Sequence, residues 1–111
     1  SAEETDWKQI AQLYAELGRI HSSPVVALNH AVAVAMSESL EKGLQLIDKL
    51  GSSGELDSYY LFHAARADLL RRIGRRRDAL EQYERALILT TNAVERRYLR
   101  RRMAELQAIM P

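Results

Sequence analysis

Cysteine is absent from these 111 residues, which excludes disulfide bonds and thiolate chemistry. Proline occurs only at Pro24 and Pro111, and neither position interrupts a periodic segment. Uninterrupted apolar stretches are short, as in Ala31 to Met36. None approaches the roughly 20 residues needed to cross a bilayer, so no membrane partner is expected. The acidic start, Ser1-Ala2-Glu3-Glu4, lacks the basic and apolar regions of a secretory signal and has no initiator Met. It reads as the excised end of a longer chain, and the absence of cysteine fits a cytoplasmic location.

Apolar residues make up 47% of the chain, enough for one real core at this length. The net charge of +1 hides an asymmetry. Residues 1–55 carry four Lys/Arg against eight Asp/Glu, whereas residues 56–111 carry twelve Arg against seven Asp/Glu. A basic half can serve an anionic partner, either nucleic acid or an acidic protein, or can be a solvated helix surface.

Helix punctuation divides the chain into six segments, about 5–18, 24–36, 38–50, 57–73, 76–90 and 93–109. Ser22-Ser23 before Pro24 reads as an N-cap with proline in the first turn. Ser37 and Asn92 are further cap candidates, and Glu95 follows Asn92 at capping-box spacing. Gly18, Gly51 and Gly74 each stand just past an apolar-periodic run, where a helix end favours a residue tolerant of positive φ. Trp7, Ile10, Ala11, Tyr14 and Leu17 fall on one stripe of the first segment. Ala79, Leu80, Tyr83, Ala86 and Leu87 do the same in the fifth. No segment alternates with period two, so the expected fold class is all-α.

The helices come in pairs, which suggests a repeat. Between Tyr60 and Asn92, the residues Ala67, Leu70, Gly74, Ala79, Tyr83, Ala86 and Leu87 follow a small–large–glycine–small–aromatic–small order. Small Ala67 and Ala79 allow two antiparallel helices to approach, Tyr83 fills the gap, and Ala86 admits the next helix. This pattern resembles the tetratricopeptide repeat. A looser unit runs through Ala27, Ala31, Val34, Gly43, Leu44, Ile47 and Leu50. The expected architecture is an antiparallel helix-pair solenoid forming a single domain over 1–111. Its repeat units span about 24–50 and 60–92, with flanking helices at 5–18 and 93–109, the last acting as a cap.

Longer strings carry a more specific resemblance. They are Asp6-Trp7-Lys8-Gln9-Ile10, Ser23-Pro24-Val25-Val26-Ala27-Leu28-Asn29 with Ala31-Val32-Ala33, His63-Ala64-Ala65-Arg66-Ala67-Asp68-Leu69-Leu70-Arg71-Arg72, and Leu89-Thr90-Thr91-Asn92 followed by Glu95-Arg96. Together they are similar to the C-terminal extension of a subgroup of bacterial extracytoplasmic-function sigma factors that carry a tetratricopeptide-like tail. The resemblance covers essentially the whole chain, and His30 departs from it by standing where arginine is expected. It implies a parent protein that binds RNA polymerase and directs it to promoters, with DNA contacted by the parent and not by this domain. The implied role here is regulation through protein contacts, made to upstream sigma regions, to the polymerase or to a separate regulator.

Nothing in the spacing argues for catalysis. His21, His30 and His63 form no metal-ligand pair, and His63 stands where a large packing residue belongs. The serines at 22, 23, 37, 52 and 53 suit caps and loops, and Glu38, Glu41 and Asp48 suit a solvated helix face. Gly51-Ser52-Ser53-Gly54 lacks the lysine of a phosphate loop. The chain is therefore expected to be non-enzymatic, with neither metal nor cofactor. Helix pairing assigns a groove to Asn29, Val32 and Met36 from one unit and Ala65, Asp68 and Arg72 from the next. Arg66 and Arg71 flank the second set. An arginine fork there could grip an acidic peptide, or Asp68 could pair with Arg71 or Arg72 and serve only its own helix. Arg96, Arg97, Arg100 and Arg101, with Arg102 beside them, make a basic face on the last helix whose self-repulsion suggests an anionic neighbour. Two alternatives follow: a nucleic-acid-binding basic module, and self-association through a first-helix face around Trp7 and Tyr14.

Overall fold

The structure, a computed structural model, describes residues 5–111, so the acidic start at Ser1–Glu4 lies outside the described residues. Among these the chain forms six α-helices and no strand. The helices are α1 (Trp7–Ile20), α2 (Pro24–Ser37), α3 (Leu40–Gly51), α4 (Tyr60–Ile73), α5 (Arg76–Leu89) and α6 (Ala93–Ile109). They pack as two compact units, one reaching to Leu56 and the other running from Asp57 to Pro111. The all-α expectation holds, and so does the pairing of neighbouring helices.

In the first unit α2 lies between α1 and α3. It starts where Ser23 Oγ accepts from the Val26 amide at 3.2 Å, with Pro24 in its first turn. Because it meets helices on two sides, α2 is apolar nearly all round, burying Leu28, Ala31, Ala33, Val34 and Ala35. On α3 the buried residues are Gly43, Leu44 and Ile47. Gly43 is the point of closest approach between these two helices. A Cβ there would stand 2.7 Å from Ala35 Cα and 2.9 Å from the Ala31 carbonyl oxygen, so only glycine fits.

Three expectations for this unit are corrected. Helix α1 begins after Asp6, whose carboxylate accepts from the Gln9 amide at 3.0 Å, and it runs through Gly18 to Ile20. Gly18 does not end the helix. It takes the packed-face position that the sequence assigned to Leu17, one helical turn after Tyr14, while Leu17 turns outward at 41% exposure. Leu13, Leu17 and Ile20 therefore form a second, exposed apolar stripe. Ser37 is likewise not a cap, because α2 continues through it and its hydroxyl donates to the Ala33 carbonyl at 2.7 Å. Ser39 caps α3 instead, accepting from the Lys42 amide at 3.0 Å. Gly51 is the last residue of α3, and the positive φ falls at Gly54 in the following turn.

In the second unit, α4 and α5 form a tight pair, and α6 packs on α5. Ala67, Ala79, Tyr83 and Ala86 are all fully buried, as the small–large pattern requires. Helix α4 starts at Tyr60, three residues later than expected, because residues 57–59 form a turn and an extended entry. It ends at Gly74, whose φ of 98° lets its amide and that of Arg75 fold back onto the Leu70 carbonyl at 3.1 and 2.9 Å. His63 is buried in the core. Its Nε2 donates to the Asp57 carbonyl at 2.7 Å, and its Nδ1 meets the Gln82 side-chain amide at 3.1 Å. Asn92 caps α6 by accepting from the Glu95 amide at 3.0 Å. The Glu95 carboxylate does not close the box back onto Asn92, because it accepts from the Thr90 hydroxyl at 2.6 Å.

Candidate functional site

The polar centre of the second unit is Asp68, at the middle of α4. Tyr83 of α5 donates a short hydrogen bond to Asp68 Oδ1, and Tyr98 of α6 donates to the same oxygen at 2.9 Å. One carboxylate thus joins three helices. Each phenol also accepts from an arginine, Tyr83 from Arg71 Nε at 3.0 Å and Tyr98 from Arg102 Nε at 3.4 Å. Arg102 reaches on to Glu105 at 3.0 Å. The guanidinium carbons of Arg101 and Arg102 stand 5.7 and 5.4 Å from the centroid of the Tyr98 ring, within cation–π range.

Burial pushes the Tyr83 hydroxyl well above the usual phenol range, and its bond to Asp68 adds to the effect. Both favour the neutral phenol, because ionising it would place a second negative charge against the carboxylate. Tyr60 is raised in the same direction by burial and by the charges of Glu95, Tyr98 and Asp68. Arg102 is held more firmly protonated, first by its bond to Tyr98. At neutral pH the Tyr83 phenol is therefore held neutral and the Arg102 guanidinium charged.

The expected groove residues fall in two groups. Asn29, exposed, and Val32 and Met36, half-buried, share one face of α2 in the first unit. Arg66, Asp68 and Arg71, half-buried, and Arg72, exposed, lie on α4 in the second. Asp68 and Arg71 are drawn inward by the tyrosines, with an Arg71–Asp68 separation of 3.9 Å. The alternative in which Asp68 serves its own helix describes part of this, but its stronger bonds go to other helices. Arg72 stands four residues after Asp68, exposed, with no hydrogen bond or ion pair to another described residue.

On α6 the structure separates the expected basic face. Arg96 is not a solvated charge, since its guanidinium donates to the Leu87 carbonyl at 2.7 Å and the Thr90 carbonyl at 2.8 Å. It closes the C-terminal end of α5, which has no glycine to do so. Arg101 leans on Tyr98 and lies 4.0 Å from Glu105. Arg97 and Arg100 remain exposed, without ion pairs among the described residues. The repulsion expected between stacked arginines is thus relieved by turning two of the four toward partners.

The roles of the Tyr83 and Tyr98 hydroxyls, and of Arg102, are not visible in the sequence pattern. The Asp68–Tyr98 bond spans 30 residues, and no local spacing announces it. Among the described residues no group of three His, Cys, Asp or Glu side chains could hold a metal ion. No helix among them is long and apolar enough to cross a membrane.

No family model matches the chain. An uncharacterized protein of Rhizobium meliloti (strain 1021) is 42% identical over 106 residues, a match that covers 96% of this chain and 25% of that protein. The chain thus spans about a quarter of the length of the curated relative it matches.

Proposed function

We propose that this chain is a non-catalytic interaction module of tetratricopeptide type, serving as the regulatory segment of a bacterial sigma factor in the cytoplasm. The residue strings around Pro24, His63 and Thr90 support the sigma-factor part of the reading. A match to a quarter of a longer bacterial protein suits a segment that works inside a larger chain. The partner is a protein: upstream sigma regions, RNA polymerase or a separate regulator.

The observation that carries the interaction reading is the α4 face. Asp68 is occupied by two phenols, and Arg71 is committed to Tyr83. Arg72 is exposed beside them, so a cation is presented on a frame that three helices hold rigid. Such a charge suits a carboxylate of an acidic peptide, which it can bind bidentately. Arg72→Glu should weaken binding to that partner at least tenfold while the helical circular dichroism stays unchanged. Unchanged affinity would remove the α4 face from the interface. Promoter-directed transcription by the full-length sigma factor, with and without this segment, tests the regulatory role. An unaffected initiation rate would refute it.

A second reading, nucleic-acid binding, is favoured by exposed Arg97 and Arg100 on α6. It requires affinity for a DNA duplex that falls steeply with salt. Fluorescence anisotropy showing no binding at low salt would dispose of it.

A further inference from the structure

The first unit contains a cleft of about 550 Å³ at the end of the α2–α3 hairpin where α2 starts and α3 finishes. Its walls include Ala27 and His30 from α2, Leu46, Lys49 and Leu50 from α3, and Glu55 from the turn beyond. That volume lies within the range of small-ligand pockets. A smaller cleft of about 350 Å³ on the α1 side shares Ala27 and His30, so His30 lines both. Arg19 lines this second cleft, but its guanidinium is tied to Glu16 at 2.7 Å.

Lys49 and Glu55 give the walls of the cleft one charge of each sign. Residues 1–55 carry twice as many acidic as basic side chains, yet Lys49, one of only four Lys/Arg there, lines the cleft beside His30. Lys49 is exposed and makes no hydrogen bond or ion pair to another described residue through its ammonium. The 14-residue α2 brings the positive end of its dipole here and α3, which finishes here, brings its negative end, so the two offset and the cationic group of the cleft is Lys49. Most hydroxyls nearby are already engaged. Ser23 Oγ accepts from Val26, and Ser53 Oγ donates to Leu50 and accepts from Glu55. What is left is one ammonium, one imidazole, the Ser22 hydroxyl and an aliphatic floor of Ala27, Leu46 and Leu50. Glu55 opposes any anion seated toward the turn.

We propose that this cleft binds a carboxylate attached to an apolar body, with the carboxylate on the His30–Lys49 side and the apolar body against Leu46 and Leu50. A single negative charge matches the one ammonium that the cleft supplies, and among the described residues no arginine lines it to hold a phosphate bidentately. Glu55 sets the polarity of the seat. The same chemistry occurs in a free short-chain carboxylate and in the C-terminus of a peptide ending in an aliphatic residue. This site is separate from the α4 face and does not depend on the sigma-factor reading.

The test is an amide chemical-shift titration of the 15N-labelled chain with sodium hexanoate and with N-acetyl-Leu-Leu bearing a free carboxylate. Hexan-1-ol serves as the uncharged control. Saturable shifts at Ala27, His30, Leu46 and Lys49 with either carboxylate are expected. Hexanoate alone would identify a small-molecule seat, and the peptide alone a peptide-terminus seat. Lys49→Gln should lower the affinity roughly tenfold, as the loss of one partly exposed charge-assisted hydrogen bond implies. Glu55→Gln should raise it severalfold. Both residues are exposed, so the fold should tolerate either change. The proposal is overturned if neither carboxylate shifts these amides, or if hexan-1-ol binds as tightly as hexanoate. A Lys49→Gln variant that binds unchanged would also overturn it.

Discussion

Replacing Asp68 with alanine should be among the most damaging single changes to the second unit. The carboxylate accepts two phenolic hydroxyls, and hydrogen bonds to a charged group contribute about 1.5–3 kcal/mol each. Its side chain is 32% exposed, which places both near the lower end and gives about 3 kcal/mol in total. Tyr83 is fully buried, so its hydroxyl would be left as a donor without an acceptor, facing only the Arg71 donor. For a domain of this size that loss corresponds to a fall in Tm of about 10–20 °C. Urea and thermal unfolding followed by circular dichroism at 222 nm would measure it. Asp68→Asn keeps an acceptor oxygen in place and should cost only about 1 kcal/mol. In a Tyr98→Phe background, Asp68→Ala should cost about 1 kcal/mol less than in the wild type, because one of the two bonds is already gone. If Asp68→Ala lay within 0.5 kcal/mol of wild type, or the two changes were strictly additive, Asp68 would not be the junction of three helices.

Two further outcomes follow from the packing. Gly43→Ala should destabilise the first unit by about 2–3 kcal/mol in urea titrations, because its methyl would enter the space of Ala35 Cα and the Ala31 carbonyl; a neutral result would mean that α2 and α3 can separate at no cost. Tyr83, with its folded hydroxyl raised above the ordinary value of 10.0, contributes stability that is fully present below pH 10 and is lost as pH rises through the folded value. Stability should therefore fall from about pH 10 upward by as much as about 1.4 kcal/mol per pH unit from this group, and Tyr83→Phe should flatten that slope when unfolding is compared at pH 9 and pH 11.

The sequence made the helices legible where capping chemistry is local. Ser23, Asn92 and Gly74 act within three or four residues of themselves, so their spacing alone marks an end. Gly18 misled because glycine there meets no steric demand. A Cβ would come no closer than 3.9 Å to Val26, an ordinary contact, and the helix simply continues. Ser37 and Ser39 are both plausible caps by type, and only the extra residue of α2 decides between them. The small–large pattern located the core of α4 and α5 correctly, since close helix contact dictates side-chain size. Polar partners were harder to read. Asp68 could be seen beside Arg71 and Arg72, but its bonds run 15 and 30 residues away, where only the fold brings the hydroxyls in. The same holds for the exposed stripe of α1, because Leu17 and Gly18 compete for one face and only the neighbouring α2 settles which turns inward.

The two bonds from Arg96 to the Leu87 and Thr90 carbonyls tie the end of one helix to the first turn of the next. Helix α5 consequently cannot fray from its C-terminal end while α6 stays folded, and losing α6 leaves those carbonyls to water. The last two helices should thus melt as one cooperative block. A chain shortened ahead of Asn92 would lose order beyond the cut, back into the final turn of α5.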